Sequence, residues 1–327
     1  MFKKLTLAAL VASVSSLAVQ PVAAQDAGYK IPVPPISEEL TIPRHEIAVL
    51  DSKMSYLEQG EGDVVLFIHG NPTAAYLWRN VVPFVSGNHR AIAVDLIGMG
   101  HSGKPDIGYT FADHARYLDA FVEAMGLTAI TLVAHDWGSA LAWDFARRHP
   151  EMVVRLAFME GVVPPAFPQP SYEAMGEGMG GMFRDMRDPE KGRQMIMENN
   201  MFVTDILPSM IDRPLGETAR AEYAAPYPKV EDRLPTWVWP REVAIGGEPT
   251  SSVALMENIR VFMGETKMPV LLAYAEPGAL IPPQAVPYYV GLIGNLETAF
   301  IGRGLHYVQE DQPVAIGRAL ADWIRRN

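Results

Sequence analysis

Ile130-Thr131-Leu132-Val133-Ala134-His135-Asp136-Trp137-Gly138-Ser139 is a β-branched apolar run that ends in a small-x-acid-x-glycine turn. The following Ala140-Leu141-Ala142-Trp143-Asp144-Phe145-Ala146 has helical patterning. A strand therefore feeds a helix through a tight elbow that lifts the Asp136 side chain, with small residues at 134 and 138 because the turn leaves no room for larger ones. A serine at such a turn makes acyl-enzymes from esters and amides. A carboxylate displaces a leaving group from an alkyl carbon and becomes an alkyl ester itself.

The flanking sequence repeats the strand pattern. Val64-Val65-Leu66-Phe67-Ile68 and Arg90-Ala91-Ile92-Ala93-Val94-Asp95 are continuous apolar runs, as in strands buried on both faces. Residues 45–50 and 53–57 predict two antiparallel starting strands, and further strands are expected at 154–159, 268–274 and near 296–301. Helical segments alternate with them, notably 113–125 and a last helix over 313–326. This alternation predicts an α/β class protein with a mostly parallel central sheet, and with the elbow it predicts the α/β-hydrolase fold. Residues 164–248 break the rhythm: they are rich in Met, Pro and Gly, with helical pieces and no buried strand. They read as a helical cap inserted into a core made of residues 25–163 and 249–327. The cap's methionines at 175, 179, 182 and 186 recur at helical spacing, and either fill a core or line an adaptable pocket.

With 327 residues, 49% of them hydrophobic, the chain can bury a large core. Residues 1–24 stand apart. Lys3-Lys4, an apolar run over residues 5–19 and Val22-Ala23-Ala24 read as a secretory signal peptide, which predicts a periplasmic or secreted protein. The formal charge of −11 becomes about −13 without Lys3 and Lys4. An acidic surface repels nucleic acid and anionic lipid, so neither is expected as a partner. There is no cysteine, which excludes disulfides, a thiol nucleophile and thiolate zinc sites. No histidine pairing has metal-ligand spacing.

His69-Gly70-Asn71-Pro72 follows the first buried strand, where this fold draws one oxyanion-hole N–H; Asn71 and Trp137 would be the two backbone donors. Their side chains also only offer N–H groups toward an anion, an amide NH₂ and an indole. A departing halide is weakly basic and needs donors in a dry pocket, whereas an epoxide oxygen calls for an acidic proton. His306, in Gly302-Arg303-Gly304-Leu305-His306-Tyr307-Val308, follows the last strand, where the fold places its general base. Two carboxylates end apolar strands and could orient it, Glu160 and Glu276. Asp95 ends a strand too, but its setting suits stabilising its own loop.

These motifs, with Tyr76-Leu77-Trp78-Arg79-Asn80 and Glu276-Pro277-Gly278-Ala279-Leu280, closely resemble the haloalkane dehalogenases, over nearly the whole chain from about residue 31 onward. The resemblance is to the subfamily with an Asn and Trp halide pair and a Glu acid before the cap. It implies Asp136 as nucleophile, His306 as general base, Glu160 rather than Glu276 as the catalytic acid, and Asn71 and Trp137 as halide donors. It further implies Phe202 and Pro240 at the halide pocket and Ala279 and Leu280 near the access tunnel. The expected substrates are small halogenated alkanes and water, the products alcohol, halide and a proton, and no metal or organic cofactor is called for. Two departures stand out: a signal peptide in a family otherwise cytoplasmic, and Gly and Met in the early cap where relatives carry bulkier aromatic residues. The rival readings are an epoxide hydrolase using lid tyrosines such as Tyr172, Tyr223 or Tyr227, a cofactor-independent oxygenase of the luciferase kind, and a non-catalytic binder on the same fold.

Overall fold

The computed structural model describes residues 36–327; the expected signal peptide lies outside the described residues. Eight strands form one sheet: β1 (Arg44–Val49), β2 (Ser52–Gln59), β3 (Val64–Ile68), β4 (Arg90–Val94), β5 (Ile130–Asp136), β6 (Val153–Gly161), β7 (Val270–Pro277) and β8 (Leu296–Gly304). Their order is β1-β2-β4-β3-β5-β6-β7-β8. The first two hairpin partners are antiparallel, β2 meets β4 antiparallel, and every pairing from β4 to β8 is parallel. This is the α/β-hydrolase fold, as the alternation of apolar runs and helical segments predicts.

The central parallel strands are largely apolar because their residues enter one of two cores. Leu66, Ile68, Ile92, Val94, Leu132 and Ala134 face one layer, with Trp143, Phe121 and Met256 from the helices Trp137–Arg148, Phe111–Ala124 and Thr250–Glu265. Val65, Phe67, Ala91, Ala93 and Val133 face the other, where the helix Pro313–Arg326 packs Ile316, Leu320, Trp323 and Ile324 at helical spacing. Two local signals sharpen the frame. Thr110 and Asp113 form a reciprocal capping box at the start of the helix Phe111–Ala124. Arg325 and Arg326 sit in the last turn of the final helix, where cations suit its free carbonyls.

Between β6 and the helix Thr250–Glu265 the chain runs through short helical pieces, among them Gly176–Arg187, Glu217–Ala224 and Leu234–Glu242. Two turns there, Arg193–Glu198 and Phe202–Ile206, are π-helical, a geometry that tends to occur at functional sites. Among the described residues no helix is long and apolar enough to cross a membrane.

Candidate active site

The elbow between β5 and the helix Trp137–Arg148 holds Asp136 at φ +53°, a left-handed conformation that an ordinary residue tolerates only when its surroundings enforce it. The enforcing contacts are close. A side chain at Gly138 would put Cβ 2.3 Å from the Ile68 carbonyl oxygen, and one at Gly70 would lie 2.1 Å from Asp136 Oδ1. Both glycines are required by the approach of backbone to nucleophile.

Asp136 Oδ1 accepts from the Asn71 backbone N–H at 2.7 Å, and the Trp137 backbone N–H lies beside the carboxylate and helps to hold its pKa down. Oδ2 lies 3.2 Å from His306 Nε2. On the other side of the ring, His306 Nδ1 is 3.3 Å from Glu160 Oε2. Glu160, only 1% exposed, is held by three backbone N–H donors, those of Ala279 at 3.0 Å, Leu280 at 2.8 Å and Ile281 at 3.1 Å. Those donors satisfy a carboxylate that would otherwise be costly to bury. Glu276 ends β7 in an exposed position and makes no such approach to His306. Asp95 accepts from the backbone N–H groups of Ala75 and His101 and from Arg44, so it serves the loops around it.

Charges follow the geometry. Burial opposes the His306 cation, but carboxylates at both ring nitrogens overcome it and raise the pKa to about 9. Burial likewise opposes the Asp136 anion, and the His306 hydrogen bond and charge, with the neighbouring N–H donors, nonetheless hold its pKa below the ordinary value. The resting pair is therefore carboxylate and imidazolium. His135, next to the nucleophile, is the opposite case: burial and the nearby His306 charge push it down to about 3, so it stays neutral. Its Nε2–H donates to the His306 carbonyl at 2.8 Å. A carbonyl can only accept, which fixes the His135 tautomer.

A partly open apolar cavity of about 70 Å³ lies above these groups. Asn71, Asp136, Trp137 and His306 contribute its polar floor. Phe167, Met179, Met182, Phe183, Met186, Phe202, Ile206 and Pro240 close it from the inserted segment, and Leu280 lines it from the loop after β7. Met179, Met182 and Met186, three of the four methionines at helical spacing, thus face the cavity, and Met175 does not line it. Ala279 is not among the lining residues; its contribution is the N–H bound to Glu160.

The lid tyrosines are otherwise engaged. Tyr223 donates to Glu310 at 2.6 Å and Tyr227 to the Pro72 carbonyl at 3.1 Å, both buried away from the cavity, and Tyr172 packs under the Arg184 guanidinium. Among the described residues the one tyrosine lining the cavity, Tyr307, donates its hydroxyl to the Asn71 carbonyl at 3.0 Å. No lining tyrosine thus offers a free acidic proton, which counts against epoxide opening.

Sequence reasoning missed the backbone partners. The Met210 carbonyl, in the inserted segment, accepts from the N–H groups of His306 at 3.0 Å and Tyr307 at 3.3 Å. The Thr236 carbonyl accepts from Asn71 Nδ2 at 3.2 Å. Main-chain contacts of this kind impose no residue type, so composition and spacing carry no trace of them.

Comparisons with known proteins agree with this geometry. A family model described as the alpha/beta hydrolase fold matches residues 63–313. The haloalkane dehalogenase of Bradyrhizobium diazoefficiens is 43% identical over 298 residues, spanning 88% of this chain and 96% of that protein. One from Sphingobium indicum is 39% identical over 290 residues, spanning 86% and 94%. Among solved structures, a haloalkane dehalogenase from Bradyrhizobium elkani superposes with a TM-score of 0.84 at 41% identity, covering 87% of this chain and 98% of that one. Another from Agrobacterium tumefaciens gives 0.81 at 33% identity, covering 87% and 96%.

Proposed function

The chain belongs to the haloalkane dehalogenases, hydrolases of carbon–halide bonds, and we propose that it turns over haloalkanes through an alkyl ester on Asp136. The observation that carries the residue assignment is the line of Glu160, His306 and Asp136, at 3.3 and 3.2 Å, opening on an apolar cavity.

Asp136 Oδ2 attacks the halogen-bearing carbon from the side opposite the halogen. The carbon–halogen electrons leave with the halide, which the side-chain N–H groups of Asn71 and Trp137 stabilise in a site with little water. Alkylation removes the Asp136 charge. The His306 cation then loses one of its two carboxylate partners, its pKa falls, and the ring can release its proton to become a base. His306 takes a proton from water, whose oxygen attacks the Asp136 carboxyl carbon. The backbone N–H groups of Asn71 and Trp137, already aimed at the carboxylate, hold the oxyanion that forms. Collapse expels the alcohol, which takes a proton as it leaves, and one net proton departs with the halide. Glu160 keeps His306 in the tautomer with Nδ1 protonated and stabilises its cation.

The test is release of halide and an equivalent of acid from a panel of bromo- and chloroalkanes by the purified protein. Bromides should react faster than the matching chlorides, since bromide leaves more readily. Opening of aryl epoxides with no halide release from any substrate on the panel would sink the reading.

We also infer that residues 1–24 direct export and are removed, on the strength of Lys3-Lys4, the apolar run and Val22-Ala23-Ala24. N-terminal sequencing of the native protein should begin near Gln25, in a periplasmic or extracellular fraction. Met1 retained on protein from a membrane fraction would point instead to an anchor.

A further inference from the structure

We propose that Pro240 is a positioning residue for the leaving group: by deleting one helix hydrogen bond it frees the Thr236 carbonyl to orient the Asn71 side chain. This rests on the reading of Asn71 as a halide donor given above.

Pro240 lies inside the helix Leu234–Glu242. Proline has no N–H, and its ring presses on the carbonyl four residues earlier, which here belongs to Thr236. That carbonyl is thus deprived of its helical donor and tilted out of the helix. Thr236 is fully buried, so water offers no easy replacement, and an unpaired buried carbonyl is unfavourable. The donor that fills the gap is Asn71 Nδ2 at 3.2 Å.

The consequence falls on Asn71. Its backbone is fixed at both ends, with the N–H on Asp136 and the carbonyl on Tyr307. Its side-chain amide has two nearly isosteric ends, and Oδ1 is buried without a partner. The bond to Thr236 is thus what chooses between them among the described residues. Turned the other way, Oδ1 would face the Thr236 oxygen, two acceptors in contact, and would present the wrong end of the amide. As held, one Nδ2–H is on the carbonyl and the second is left for an anion in the cavity. The same helix serves the other donor as well. Trp239, fully buried, stacks on the Trp137 indole with ring centroids 4.7 Å apart and planes 26° off parallel.

Pro240 also lines the cavity, so loss of its ring must be separated from gain of an N–H. Three variants do this: Pro240→Ala, Pro240→Val, and a chain carrying the α-hydroxy analogue of alanine at position 240, introduced by nonsense suppression. The last has the methyl side chain of alanine with an ester oxygen in place of the N–H. Bromide affinity is measured by calorimetry on each, alongside kcat/KM for a bromoalkane. Alanine and valine should both weaken bromide binding roughly tenfold, as expected when a charge-assisted donor is misdirected. The ester variant should bind bromide severalfold more tightly than Pro240→Ala, whose side chain it shares, because its Thr236 carbonyl again lacks a helical donor. Equal bromide affinity for the alanine and ester variants, or losses that track side-chain volume, would overturn the inference. Absence of halide release by the wild-type protein would instead remove the functional reading, and the calorimetric comparison distinguishes the two failures.

Discussion

His306→Phe should convert the protein from a catalyst into a reagent that alkylates itself once and stops. The displacement step needs a carboxylate, a cavity and donors for the halide. Asp136 keeps the Asn71 N–H donor when His306 is gone and stays aimed; without the His306 charge burial raises its pKa, so alkylation is read at alkaline pH, where the carboxylate is ionised. The hydrolysis step needs a base at 3.2 Å from the carboxylate, and phenylalanine fills the space without accepting a proton. Loss of a positioned general base costs on the order of 10²–10⁴-fold. Turnover should fall at least that far while the alkyl-enzyme accumulates. Intact-mass spectrometry after incubation with a bromoalkane reads the result as a mass increase equal to the alkyl group, located on Asp136 by peptide mapping. A folded variant that gains no mass would falsify the assignment of Asp136 and His306.

Parts of this machinery are legible in the chain because physical chemistry restricts the residue type. β5 reads as a buried strand because both of its faces enter cores, which forces Ile130, Leu132, Val133 and Ala134 to be apolar together. The elbow reads because Gly138 stands where a Cβ would meet the Ile68 carbonyl. The final helix, Pro313–Arg326, has the bounds its pattern predicts, since its apolar stripe and terminal arginines both mark it. The acid is a different case. Glu160 and Glu276 both end apolar parallel strands, and composition alone leaves them equal. What separates them is conformation: Glu160 takes φ +43°, and the loop after β7 turns three consecutive N–H groups onto it. Only resemblance to a family favoured Glu160 beforehand. The grip of the inserted segment on His306 through the Met210 carbonyl, and on Asn71 through Thr236, lies wholly in the main chain, where sequence has no alphabet for it.

Glu160→Gln should reduce turnover by roughly 10³–10⁴-fold, comparable with the loss of the His-orienting carboxylate in a serine triad. The substitution is nearly isosteric, so the effect comes from the proton inventory. Ala279 and Leu280 donate to Oε2, the oxygen that also faces His306, and Ile281 donates to Oε1, so an amide with one acceptor oxygen leaves at least one of these donors against its NH₂. With the amide oxygen at the Oε2 place, it still accepts from Nδ1–H but has no charge to stabilise the His306 cation. With the NH₂ there, Nδ1 must become the acceptor, and the ring carries its proton on Nε2, the atom that faces Asp136 and the attacking water. In either arrangement the anion that made His306 an effective base is gone. Displacement of halide survives, because Asp136 keeps both backbone donors, so the alkyl-enzyme should build up here as it does in His306→Phe. Glu276→Gln is the control. Its side chain is exposed at the end of β7, and its loss should change turnover by no more than about twofold, as surface substitutions usually do. Steady-state halide release and single-turnover mass analysis on both variants decide the matter. A severe loss in Glu276→Gln with a mild one in Glu160→Gln would mean that the carboxylate 3.3 Å from His306 is not the one that orients it in the working enzyme.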